Sequence, residues 1–225
     1  MILLVHSGVC DARMWDGFDL PGARAHEMRG YGQTPPPAEG EYSPADDLLA
    51  ALGDGPAALV GASFGGYICL EVAARRPELV SELVLLDAPL FDHDFSDEIE
   101  RFDERETELL AAGNVREAAE LNADFWLEDP SLRERVIEMQ ERRFELELAS
   151  EAEMTGDDEV DLGAITARTL VAVGELDKPD FRAIAERLAR EIPNAELAVI
   201  EGAGHLPALE RPEETARLVR RFLGV

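Results

Sequence analysis

Short apolar runs that stop at a small or polar residue recur along this chain, and they constrain its fold more than any other feature. Ile2-Leu3-Leu4-Val5 stops at His6-Ser7-Gly8, and Ala57-Ala58-Leu59-Val60 stops at Gly61. Leu83-Val84-Leu85-Leu86 stops at Asp87, and Leu170-Val171-Ala172-Val173 stops at Gly174. Runs this short, without polar alternation, suit strands covered on both faces of a parallel sheet. Helical patterns fill the gaps. Ser43-Pro44-Ala45-Asp46 reads as a capped helix start, and that helix stops at Gly53-Asp54-Gly55. Residues 65–76 carry Ile68, Leu70, Val72 and Ala73 on one side and end before Pro77. Further strands are expected at 24–28 and 195–200, and further helices at 179–190 and 212–222. The alternation predicts an α/β, three-layer α/β/α sandwich with a mostly parallel sheet of about six strands.

Between residues 92 and 155 the strand signal gives way to dense Glu and Arg with recurrent Leu and Phe. Three amphipathic helices are expected there, at 98–112, 115–126 and 132–151. The chain thus divides into a core, 1–91 and 156–225, and a helical insertion, 92–155.

Bulk properties narrow the partners. At 225 residues there is room for one sizeable core. The 48 acidic residues outnumber the 21 basic ones, for a net charge of -27, a field that repels phosphate backbones and anionic lipid. A small-molecule substrate is the expected partner, with no nucleic acid and no membrane, and the chain is expected as a monomer or homodimer. Cys10 and Cys69 lack the spacing of a metal site or a disulfide framework. The apolar run at 2–5 is too short for a signal-peptide core, which predicts a cytoplasmic protein.

The chemistry centres on Gly61-Ala62-Ser63-Phe64-Gly65, set between an apolar strand and a helix. A serine on a sharp strand-to-helix turn needs small neighbours, because the backbone there is crowded and strained. Ser63 would project from the sheet edge, with the Phe64 N–H facing any developing negative charge. A serine hydroxyl is neutral near pH 7 and needs a base. Of the four histidines, His205 follows the strand at 195–200 and so reaches the same carboxyl edge as Ser63. His6 ends the first strand on that edge but is expected to prop the glycine loop after it. His26 lies in the weakly marked strand at 24–28 and His93 in the insertion. Asp177, after the strand that ends at Gly174, is the expected acid partner of His205; Asp87 is its rival, and Glu175 a near neighbour.

These residues, in the order Ser63, Asp177, His205 with a helical insertion before the acid, resemble the α/β-hydrolase superfamily over nearly the whole chain. HSGVCDARMW at 6–15 resembles the family's His-Gly oxyanion loop, and Arg29-Gly30-Tyr31-Gly32-Gln33-Thr34 its Arg-Gly-x-Gly turn. Ala203-Gly204-His205 with Pro207 and Glu210-Arg211-Pro212-Glu213 resembles its histidine loop and last helix. The resemblance implies Ser63, Asp177 and His205 as the catalytic residues, with the amides of Gly8 and Phe64 as the oxyanion hole. It implies no cofactor and no metal, and a cap at 92–155 over the pocket. Phe95, Phe102, Phe125, Trp126, Met139 and Phe144 lie in that segment; some are candidates to line an apolar pocket, and at helical spacing most are expected to be packing residues that hold the cap down. The expected activity is cleavage of a small carboxylic ester or lactone. The alternatives are a C–C bond hydrolase, a perhydrolase, or a non-catalytic ligand-binding protein on the same fold. Three departures accompany it: Ser7 in place of the usual Gly, Glu27 in place of the usual Asp, and no amino-terminal antiparallel hairpin.

Overall fold

The computed structural model describes residues 1–53, 55–156 and 159–225. Asp54, within the expected helix stop, and Asp157 and Asp158, within the expected core, lie outside the described residues. Among the described residues eight strands follow in chain order: β1 (Ile2–Val5), β2 (Ala23–His26), β3 (Glu41–Tyr42), β4 (Ala57–Ala62), β5 (Val80–Leu86), β6 (Glu153–Met154), β7 (Arg168–Gly174) and β8 (Ala195–Ile200). The α-helices are α1 (Pro44–Leu52), α2 (Phe64–Arg75), α3 (Asp97–Ala111), α4 (Val115–Trp126), α5 (Arg133–Leu148), α6 (Pro179–Glu191), α7 (Pro207–Glu210) and α8 (Pro212–Leu223).

Six strands form one sheet in the order β2-β1-β4-β5-β7-β8, and every pair in it is parallel. The central strands explain the unbroken apolar runs. Leu83 and Leu85 point into one buried cluster, with Leu59 of β4, Ile68 and Leu70 of α2, and Ile184 of α6. Val84 and Leu86 point into the other, with Met14, Val60, Val219 and Phe222. Successive side chains of a strand face opposite ways, so a strand covered on both sides must be apolar throughout. All six strands run the same way, so the loops after β1, β4, β5, β7 and β8 open at one edge. Ser63, Asp87, Asp177 and His205 all belong to those loops.

The helices α3, α4 and α5 occupy the insertion. Phe102 of α3 stacks on Phe125 of α4 at 4.3 Å, and Trp126 meets both rings edge-on. Arg116 of α4 reaches Glu134 and Glu141 of α5, a solvated pairing of the kind the Glu/Arg pattern implied. The two-residue strands β3 and β6 pair parallel, in a small second sheet outside the main one. With Ser150 Oγ donating to Pro37 O at 2.6 Å, this pairing fastens the end of the insertion to the loop before α1. The sequence reading placed no strand at β3 or β6, and two residues are too few to show a period.

No helix among the described residues is long and apolar enough to cross a membrane.

Candidate active site

The turn from β4 into α2 is built by crowding. Ser63 has φ 48, one of two non-glycine residues with positive φ among those described, and its N–H donates to Leu86 O at 2.7 Å. A Cβ at Gly61 would lie 2.5 Å from Gly65 O, and one at Gly65 would lie 2.3 Å from His6 O. Backbone fills both places, so glycine there lets α2 press against β4 and β1 and turns Ser63 outward.

Ser63 Oγ lies 2.8 Å from His205 Nε2. On the other side of the ring, Nδ1 lies 3.1 and 3.0 Å from the two carboxylate oxygens of Asp177. This arrangement selects the tautomer that donates from Nδ1 and accepts the serine proton at Nε2. Both His205 and Asp177 are buried. Burial pulls the Asp177 carboxyl upward. The charge and hydrogen bond of His205, with further hydrogen bonds from Asp87 and the Lys178 amide, outweigh it and hold the group below its ordinary value.

The other candidates separate cleanly. Asp87 is not His205's partner; it sits behind Asp177, where its Oδ1 accepts the Gly174 N–H at 2.8 Å. Glu175 turns to the Gly202 N–H. His6 donates from Nδ1 to Ser7 O and accepts the Met28 N–H at Nε2, so it braces the loop after β1. Burial lowers its pKa to about 4, keeping it neutral there. His93 lies 3.5 Å from Asp180, while His26 is part of β2. Among the described residues, one group could offer three metal ligands, namely Asp87, Asp177 and His205. Both ring nitrogens of His205 are engaged by Ser63 and Asp177, so the cluster suits proton transfer better than coordination. Burial pushes the thiols of Cys10 and Cys69 up and leaves them unreactive.

Ser63 and His205 open into a cavity of about 490 Å³, which Gly8 and Phe64 also line. The Phe64 amide opens α2 and has no preceding helical turn to receive it. Gln140 of α5 donates to Gly8 O at 2.9 Å and ties that loop to the insertion. Much of the wall is aromatic, from Phe64, Phe91, Phe95, Phe102, Trp126 and Phe181, and Asp103, Glu106, Asn122 and Arg143 add polar and charged groups to it. Of the sequence-derived lining candidates, Phe95, Phe102 and Trp126 face the cavity. Phe125 instead stacks behind on Phe102, and Met139 and Phe144 are core residues. Two contributors carried no sequence signal of their role. Phe181, in the first turn of α6, meets the His205 ring at 4.3 Å, and Glu210 accepts the Gly204 N–H beside it.

Comparison with known proteins bears on the family and the fold. The model of the alpha/beta hydrolase family matches residues 2–218. A 2-hydroxymuconate semialdehyde hydrolase from Pseudomonas putida is 32% identical over 215 residues, covering 88% of this chain and 75% of that protein. A thermophilic esterase from Thermogutta terrifontis superposes with a TM-score of 0.75 at 26% identity, covering 99% of this chain and 89% of that one. Est816, an N-acyl homoserine lactone degrading enzyme, superposes with a TM-score of 0.75 at 27% identity, covering 98% and 92%. By sequence match and by architecture, the chain belongs to the alpha/beta hydrolase family.

Proposed function

We propose that the chain is a serine hydrolase that cleaves a small carboxylic ester or lactone through an acyl-enzyme intermediate. The observation that carries this reading is the 2.8 Å contact between Ser63 Oγ and His205 Nε2, with Asp177 on the far side of the ring and an aromatic cavity in front. His205 takes the Ser63 proton as the hydroxyl attacks the carbonyl carbon. The Gly8 and Phe64 N–H groups hold the oxyanion, and the imidazolium returns its proton to the leaving alkoxide. Water then attacks the acyl-enzyme with His205 again as base, releasing the acid and restoring Ser63. Asp177 fixes the tautomer and stabilises the imidazolium without itself taking the proton.

The insertion 92–155 acts as the cap in this reading, since Phe95, Phe102 and Trp126 from it wall the cavity. Similarity to the Thermogutta esterase and to the lactone-degrading Est816 supports an ester or lactone as substrate. Similarity to the semialdehyde hydrolase supports a second reading, in which the same three residues cleave a carbon–carbon bond beside a carbonyl.

The test is covalent labelling of Ser63 by a fluorophosphonate, followed by a panel of short-chain esters, lactones and vinylogous diketones. Labelling that is lost in Ser63→Ala, with highest kcat/KM on an ester or lactone, is the expected result. An unlabelled but folded wild-type protein would overturn the serine mechanism. Highest kcat/KM on a diketone would keep the nucleophile and overturn the ester assignment.

A further inference from the structure

Asp87 follows β5 and holds φ 51, a backbone conformation that few non-glycine residues adopt. Its N–H donates to Ala172 O at 2.9 Å, and its Oδ1 accepts the Gly174 N–H. The residue is 1% exposed, and its Oδ2 meets no hydrogen-bond donor among the described residues. What stands beside it is the carboxylate of Asp177: Asp87, Asp177 and His205 bring ligand-type atoms within 4.8 Å of one another. Two ionised carboxylates at that range, shut off from water, repel strongly, and a single proton between them relieves the conflict.

The surroundings decide which acid keeps the proton. Asp177 faces His205 with both oxygens and receives the Lys178 N–H at 2.7 Å, so its charge is well compensated. Asp87 has one backbone amide. The other acid acting on it is Glu210, whose oxygens are taken by the amides of Glu128 and Gly204 and which adds only negative potential. Burial first, and the charge of Asp177 second, push the Asp87 carboxyl well above the usual carboxylate range.

We propose that Asp87 is a positioning residue kept as the neutral acid, donating its Oδ2 proton to the Asp177 carboxylate and so holding that carboxylate square to His205. The pair then carries one negative charge, and the proton remains on Asp87 through the reaction. The kinetic part of this proposal rests on the serine-hydrolase reading above; the protonation part does not.

Two measurements test it. The first is infrared spectroscopy of the folded protein at neutral pH, as a difference between wild type and Asp87→Asn. A protonated-carboxyl C=O band that Asp87→Asn removes is the expected result. Absence of that band would overturn the proposal, whatever the enzyme hydrolyses.

The second is ester kinetics on Asp87→Asn and Asp87→Ala. The Asn side chain can still donate to Asp177 and accept from Gly174, so Asp87→Asn is expected to keep most of the wild-type kcat. Asp87→Ala is expected to lose on the order of tenfold in kcat with little change in KM, the scale of one charge-assisted hydrogen bond. Asp87→Asn also cannot ionise, so any loss of wild-type activity that ionisation of Asp87 causes as the pH rises is expected to be absent from the Asn variant. An Asn variant as impaired as the Ala variant would overturn the positioning role. If the Ala variant fails to fold, the infrared band and the Asn profile still decide.

Discussion

The indole of Trp126 lies with its ring centroid 4.4 Å from the His205 imidazole, tilted by 37°. Phe181 meets the same imidazole edge-on at 4.3 Å, and the indole and phenyl rings are themselves perpendicular at 5.5 Å. One of these rings comes from the insertion and the other from α6. His205 is therefore held by packing as well as by Asp177.

Trp126→Ala is accordingly expected to lower kcat/KM for a small ester by about fivefold, since a lost aromatic contact is worth about 1 kcal/mol and 1.36 kcal/mol is one decade in rate. Trp126→Phe keeps a ring against His205 and is expected to recover most of that loss. Steady-state kinetics on both variants, with thermal unfolding as the control for folding, checks this. Equal losses in the two variants would show that the indole acts by some route other than ring contact.

Gly65 bears on stability through backbone, not side chain. A Cβ there would stand 2.3 Å from His6 O and 2.5 Å from Val5 O. Neither carbonyl can move aside without disturbing β1, which pairs with both β2 and β4. Gly65→Ala is expected to cost about 2–3 kcal/mol, the upper range for overpacking, read as a lowered midpoint in urea unfolding. At Gly17, a Cβ meets nothing within 4 Å, so Gly17→Ala carries only the strain of φ +86. A Gly65→Ala variant as stable as wild type would mean that α2 can shift off β1.

Much of this arrangement is legible in the sequence, for physical reasons that differ from place to place. Strands buried on both faces announce themselves as unbroken apolar runs, and Val115–Trp126 has its amphipathic period and its ends where the pattern puts them. Ser63 was visible because its turn needs glycine on both sides. Asp177 was the expected acid and Asp87 its rival, since both follow parallel strands at one edge; the ring geometry of His205 is what separates them. Pairing of β3 with β6 joins segments more than a hundred residues apart through two residues each, and composition carries no trace of it. The lining of the cavity was half legible: Phe102 and Trp126 face it while Met139 and Phe144 face the core, and all four lie on amphipathic helices.

His6 gives the protein a pH dependence of known sign. Burial lowers its folded-state pKa from 6.5 to about 4, so between those values the unfolded chain binds a proton that the folded one refuses. Stability from this residue is therefore full above pH 6.5 and is lost as the pH falls toward 4, by about 3 kcal/mol at 1.36 kcal/mol per unit. The check is denaturant unfolding at pH 7 and pH 4.5 for wild type and His6→Asn. The Asn variant is expected to be the less stable at pH 7 and to lose less on acidification. An identical acid loss in both proteins would assign the effect to carboxylates such as Asp11 and Asp177, whose values are held low.

Glu210 joins the insertion to the loop that carries His205. Its Oε1 accepts the Glu128 N–H at 2.7 Å and its Oε2 accepts the Gly204 N–H at 2.6 Å, with the residue 6% exposed. Both oxygens act as acceptors from backbone amides, so Glu210→Gln must turn one amide donor toward another. That leaves a buried N–H without a partner, at a cost of about 1–3 kcal/mol. The residue before His205 then loses its anchor, and the ring can leave the line between Ser63 and Asp177. The expected result is a drop in kcat larger than any rise in KM, together with a lower unfolding midpoint. Glu210→Asp keeps the charge but is one methylene too short to span both amides, and it is expected to fall between the two. A Gln variant with wild-type kcat would show that the loop holds His205 without this carboxylate, through the Leu176 N–H bond to Ala203 O and the packing of Leu206 alone.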